Sequence, residues 1–66
     1  MDVKNKLKDI RMREYGEDPK EFAKRIDVNI KTYYTWEKGF ALPALKECLR
    51  VAKILKKDVS EIWSLD

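Results

Sequence analysis

The chain contains no histidine and one cysteine, Cys48. Those shortages remove the usual metal-ligand clusters and every His-based nucleophile arrangement. A single cysteine cannot close an internal disulfide, which fits a reducing cytosol. Two glycines and two prolines in 66 residues leave little room for a turn-rich β fold. No apolar run approaches the roughly 18 residues of a membrane-span candidate, and the opening residues lack the apolar core of a signal peptide. A chain this short has little space for a deep pocket. The expectation is therefore a single domain over residues 1–66 that is not an enzyme and takes no metal, cofactor, small-molecule ligand or membrane.

Charge and helical patterning are abundant. Charged residues make up 41% and hydrophobic residues 44%, a balance that suits a small helical protein with a salt-laced surface. The net charge is +3 and the isoelectric point about 9.1. This favours a polyanionic partner through steering but does not itself define one.

The pattern is densest from Asp18 to Pro43. Asp18-Pro19-Lys20-Glu21 combines a capping residue, a proline suited to the first helical position and a glutamate that completes a capping box. Phe22, Ala23 and Ile26 then share one apolar face of a helix running to Ile26. Asp27 tolerates the left-handed backbone of a tight turn, and Val28 plugs the corner. Asn29 caps the next helix, Ile30 to Lys38, with Tyr33 and Trp36 inside and Gly39 as the stop.

Before this stretch, residues 3–15 read as a first helix with Val3, Leu7 and Ile10 on one face and Gly16 at its end. Lys4, Lys6, Lys8, Arg11 and Arg13 give it a cationic surface. After it, Pro43 opens a fourth helix reaching Lys56. Leu45, Cys48, Leu49, Ala52 and Leu55 form its apolar stripe, with Val51 and Ile54 off the stripe centre. Cys48 reads as a small buried hydrophobe. Asp58 and Glu61 frame a capping box for a short last helix with Val59, Ile62 and Trp63 on its apolar side, followed by Leu65. The fold class is all-α, with five helices.

Phe22-Ala23-Lys24-Arg25-Ile26-Asp27-Val28-Asn29, Trp36-Glu37-Lys38-Gly39 and Pro43 stand at fixed offsets. This pattern resembles the helix-turn-helix of the lambda Cro/repressor-like (XRE-type) DNA-binding family. The likeness continues through Pro43-Ala44-Leu45, Leu49, Val51-Ala52-Lys53, Leu55 and Glu61-Ile62, so it spans nearly the whole chain. It implies a compact domain whose third helix enters the major groove of double-stranded DNA. The positions matching the family's base readers are Ile30, Lys31, Tyr34 and Thr35. Lys31 suits guanine O6/N7, and Ile30 and the Thr35 methyl suit a thymine methyl. Ile30 has a second reading, as an apolar contact completing the turn. Arg11, Lys20, Asn29, Thr32 and Lys38 are the candidate backbone contacts. Arg11 is also the expected ion-pair partner of Glu37.

The chain departs from the family at several points. Pro19 stands where a phosphate-touching Gln is common, leaving the amides of Lys20 and Glu21 and the Lys20 ammonium for that role. Leu7 to Gly16 is one residue longer than usual. Phe40 occupies a place where Lys or Arg is common, and Phe40 and Leu42 either fold onto the core or form an apolar patch. Ala44 replaces the usual capping Ser, at a cost of about 1 kcal/mol. Lys56 replaces the usual Gly. Apolar residues at the end of so small a domain, together with the resemblance, point to a homodimer contact through Ile62, Trp63 and Leu65. The alternative is a monomer with Trp63 folded over the first helix.

The resemblance implies a transcriptional regulator, a repressor before an activator, on a palindromic operator. It also implies location with the nucleoid in the cytoplasm of a prokaryote, or in the setting of a phage or mobile element. The rival reading is a protein-interaction module on the same fold, such as an antitoxin or a regulatory partner, using Ile30, Tyr34, Phe40 and Trp63, with weak or no direct DNA binding.

Overall fold

In the computed structural model, which describes residues 2–65, five α-helices are closed off by a small ribbon made from the two ends of the chain. Strand β1 (Val3–Asn5) pairs antiparallel with β2 (Trp63–Leu65). Val3 lies opposite Leu65, Lys4 opposite Ser64 and Asn5 opposite Trp63. The helix expected from Val3 is therefore a strand at its start. The β-branched Val3 finds a partner strand at the far end of the chain, and that tertiary pairing overrides the local helical pattern.

Helix α1 spans only Leu7–Ile10 and passes into a π-helical segment, Arg11–Tyr15. The Gly16 amide bonds the Arg11 carbonyl, one residue further back than an α-helix allows. A π turn holds one more residue than an α turn in the same space, which accounts for the extra length between Leu7 and Gly16. Gly16 then turns the chain at φ 59°, a backbone region that glycine enters without penalty.

Helix α2 (Pro19–Arg25) begins as its sequence dictates. The Glu21 amide donates to Asp18 Oδ1 at 2.8 Å, and the Asp18 amide donates back to Glu21 Oε1 at 3.1 Å. It ends in a Schellman-type cap. Asp27 takes φ 56°, its amide reaches Lys24, and the Val28 amide reaches Ala23 at 2.9 Å. Helix α3 (Ile30–Glu37) starts at an Asn29 cap and ends in the same geometry with Gly39 at φ 79°.

Helix α4 spans Leu45–Leu55. Pro43 precedes it and is buried, so the expected start at Pro43 is corrected by two residues. Ala44, in extended backbone, is its cap and supplies no side-chain hydrogen bond. The expected apolar stripe is also rotated. Val51, Ala52 and Leu55 are buried, Cys48 is half-buried, and Leu45 (71%) and Leu49 (53%) are exposed. The small core takes only one face of α4 and leaves these two leucines largely outside it. At the far end Lys56 itself adopts φ 57°, with the Lys57 amide bonded to Ala52 at 3.0 Å.

Helix α5 (Val59–Ile62) lacks the capping box read from Asp58 and Glu61. The Glu61 amide bonds the Asp58 carbonyl instead, and the Glu61 carboxylate lies 3.9 Å from Lys57 Nζ. A one-turn helix closes its backbone bond before the Asp58 side chain is needed.

The core gathers Leu7, Ile10, Phe22, Ala23, Ile26, Tyr33, Trp36, Val51, Ala52, Leu55, Ile62 and Trp63. Phe22 and Tyr33 meet edge to face, centroids 5.5 Å apart, a favourable aromatic arrangement. Ile62 is fully buried and Trp63 is 7% exposed. Trp63, expected to be left uncovered by so small a core, is instead covered by its own chain: the Lys6 amide holds the Ile62 carbonyl at 2.8 Å, and the ribbon folds the tail inward. Of the three expected contact residues only Leu65 is exposed. Phe40 (80%) and Leu42 (61%) are likewise exposed and do not fold back onto the core. Among the described residues no helix is long and apolar enough to cross a membrane.

Candidate nucleic-acid interface

Helix α3 is divided by its own periodicity. Tyr33 and Trp36 enter the core, while Lys31, Thr32 and Tyr34 are exposed and Ile30 and Thr35 are half-buried. Ile30 packs against the core edge, so its contact with the turn and its accessibility coexist. Asn29 Oδ1 accepts the Lys31 amide at 2.8 Å. The first turn of the helix contains no acid, so the positive end of its dipole faces outward unopposed. Thr35 Oγ1 donates to the Thr32 carbonyl at 2.7 Å, which leaves the hydroxyl oxygen able to accept from an outside group. Lys38 Nζ stands 5.6 Å from the centre of the Tyr34 ring, bringing these two candidates together as a cation–π pair.

Two anchors set how α3 sits. Arg11 Nη2 lies 3.2 Å from Glu37 Oε1, with both side chains about nine-tenths buried, and Arg11 Nη1 donates to the Glu17 carbonyl at 2.9 Å. Burial works against the Arg11 charge, but Glu37 and the neighbouring Tyr33 hydroxyl hold it above its ordinary pKa. Burial, reinforced by the Glu37 charge, pushes the Tyr33 hydroxyl above the usual phenol range. Arg11 Nε, Tyr33 Oη and Glu37 Oε2 are buried and find no hydrogen-bond partner among the described residues. A buried pair of this kind is costly to break from one side, because the remaining charge is stranded. The guanidinium is thus turned inward and has little surface left for a phosphate.

Lys20 is exposed on the first turn of α2. The Glu21 amide, expected to be open to a phosphate, is taken by Asp18. The loop after α3 is closed in the same way. The Gly39 amide bonds Trp36 at 3.0 Å, and those of Phe40 and Ala41 bond Thr35 at 2.9 and 3.3 Å.

Three further residues position the motif: Arg50 and Asn5, which sequence reasoning misses, and Arg25, which it takes as solvated or steering toward the DNA backbone. Arg50 Nη1 donates to the Ile26 carbonyl at 2.6 Å while its other nitrogens hold Glu47, so α4 clasps the carboxyl end of α2. Arg25 grips Glu17 through two bonds of 2.8 and 3.0 Å and lies 4.3 Å over the Tyr15 ring. Asn5 accepts the Leu7 amide and donates to the Trp36 carbonyl. Only Asn5 had a readable signal: an asparagine two residues before an apolar helical face is a capping candidate. The other two depend on long-range contact.

Two consecutive helices joined by a tight left-handed turn, the second presenting a polar, acid-free leading end, define a helix-turn-helix domain. A family profile described as helix-turn-helix matches residues 7–62. The chain belongs to the Cro/repressor-like, XRE-type helix-turn-helix family, a family of DNA-binding regulators. No curated protein matches it significantly.

Proposed function

We propose that the chain binds double-stranded DNA sequence-specifically with α3 in the major groove and regulates transcription by occupying an operator, acting as a repressor. The observation that carries this reading is the outward leading end of α3, where Lys31, Tyr34 and Thr35 are accessible on a helix whose first turn holds no acid. Lys31 donates to guanine O6/N7, Ile30 and the Thr35 methyl meet thymine methyls, and the Thr35 oxygen accepts from a base amine. Tyr34 reaches a base or its phosphate. Lys20, Asn29, Thr32 and Lys38 contact the sugar-phosphate backbone, and Arg11 serves chiefly by holding α3 through Glu37. With one cation and no bidentate reader on this face, methyl contacts and DNA shape supply much of the discrimination. The protein works beside the nucleoid in the cytoplasm. A homodimer on two half-sites one helical turn apart suits this mechanism, with Leu65 rather than Ile62 or Trp63 at the contact.

The test is selection of binding sites from random duplex DNA by wild type, Lys31→Ala and Thr35→Ala. The expected result is a palindromic motif that both variants lose or relax, with affinity falling steeply as salt rises. No enrichment at low salt would overturn the reading. A second reading, a protein-binding module, is favoured by one observation: Phe40, Leu42, Leu45 and Leu49 are all exposed within ten residues. Its partner would bind with little salt dependence.

A further inference from the structure

The side chain of Asn5 joins three elements. Its Oδ1 accepts the Leu7 amide, the first of α1, at 3.1 Å. Its backbone lies in β1 opposite Trp63 of β2. Its Nδ2 donates to the Trp36 carbonyl at 2.9 Å. That carbonyl is in the last turn of α3, where backbone acceptors lose their intrahelical partners. It also accepts the Gly39 amide, at 3.0 Å. Trp36 and Trp63 are both buried, and the Lys6 amide holds Ile62 just beyond. The bond therefore runs from the paired ends of the chain to the trailing end of α3.

We propose that Asn5 is a positioning residue for base recognition, a strap by which the terminal ribbon fixes the carboxyl end of α3. This rests on the DNA-binding reading given above. Arg11 fixes the same helix through Glu37, one residue later than Trp36 but from a different element. Two attachments from separate elements restrain tilt in a way that one does not. The pairing of β1 with β2 thereby acts on the helix that meets the bases, even though neither strand belongs to the helix-turn-helix.

Asn5→Ser and Asn5→Asp separate the two jobs of the side chain. Both keep an oxygen able to accept the Leu7 amide, and both lose the amide donor to Trp36. One is neutral and the other is charged, so an effect common to both is not a charge effect. The readouts are amide hydrogen exchange at Gly39 and Phe40, the denaturation midpoint, and the ratio of affinities for the selected site and for unrelated duplex. Exchange is expected to rise and the affinity ratio to fall, each by about tenfold, the scale of one lost hydrogen bond. The midpoint should fall by no more than the loss of that one bond implies, because the acceptor of the Leu7 amide remains. Unchanged exchange in both variants overturns the proposal. Faster exchange with an unchanged affinity ratio also overturns it, leaving Asn5 a purely structural residue. If wild type itself shows no preference for any duplex while exchange still rises in the variants, the DNA-binding reading has failed and the proposal fails with it.

Discussion

The two helices of the motif begin alike and are dressed in opposite ways. Each starts at a short polar cap in extended backbone, Asp18 for α2 and Asn29 for α3. At α2 the cap is an acid and a second acid, Glu21, closes the box, so the carboxylates already complement the helix dipole. At α3 the cap is neutral and Lys31 follows it. The same local device thus produces one end lined by carboxylates, with Lys20 beside them, and one end free of acid. The difference is the one that the proposed reading role of α3 needs. It also gives a physical reason why Pro19 is tolerated: an α2 end already filled by its own acids gains little from another phosphate-binding donor.

The variant expected to have the largest effect tests how α3 is held rather than how it is charged. Arg11→Met strands Glu37 in the core and should destabilise the domain by about 3–5 kcal/mol, which chemical denaturation will measure. A loss under 1 kcal/mol would mean that the pair does not anchor α3. Next, Lys31→Glu gives α3 the acidic first turn of α2. Affinity for duplex DNA should fall about 100-fold with stability little changed, as read by fluorescence anisotropy at fixed salt. Asp18→Asn performs the reverse experiment on α2. Asparagine caps as well as aspartate, so stability should hold while DNA affinity rises about two- to fivefold. An unchanged affinity would place the end of α2 away from the duplex.

The smallest effect concerns the exposed Glu17–Arg25 pair beside α2. The Arg25 hydrogen bond holds the Glu17 carboxyl below its ordinary range. A lowered folded pKa contributes stability that is present above the unfolded value and lost as the pH falls through the folded one. Solvent screens this pair, so Glu17→Gln should flatten the acid limb of the stability curve only slightly, and less as salt is added.

Much of this comparison is legible in the sequence because its signals are local. Asp18-Pro19-Lys20-Glu21, Asn29 and Gly39 each act within a few residues of themselves, and the structure places a cap, a box or a left-handed turn at each. What is not legible depends on residues far apart. A three-residue strand at Val3 carries too little periodicity to be read until Leu65 is seen opposite it. The stripe on α4 is chosen by the core available: Val51 is used and Leu45 and Leu49 are not. Burial of Trp63 follows from the ribbon, so the tail looks like a free apolar end until its pairing is known. At the candidate interface, periodicity separates Tyr33 and Trp36 from Lys31 and Tyr34. It says nothing of Arg50 on Ile26 or Asn5 on Trp36, whose partners are 24 and 31 residues away.

The most direct measurement is a titration of isotopically labelled protein with duplex DNA, following each backbone amide by NMR. The largest shifts are predicted from Asn29 to Thr35 and at Lys38, with a smaller one at Lys20. Shifts centred on Asp18 to Glu21, or on Phe40 to Leu49, would contradict the assignment of α3 as the reading helix.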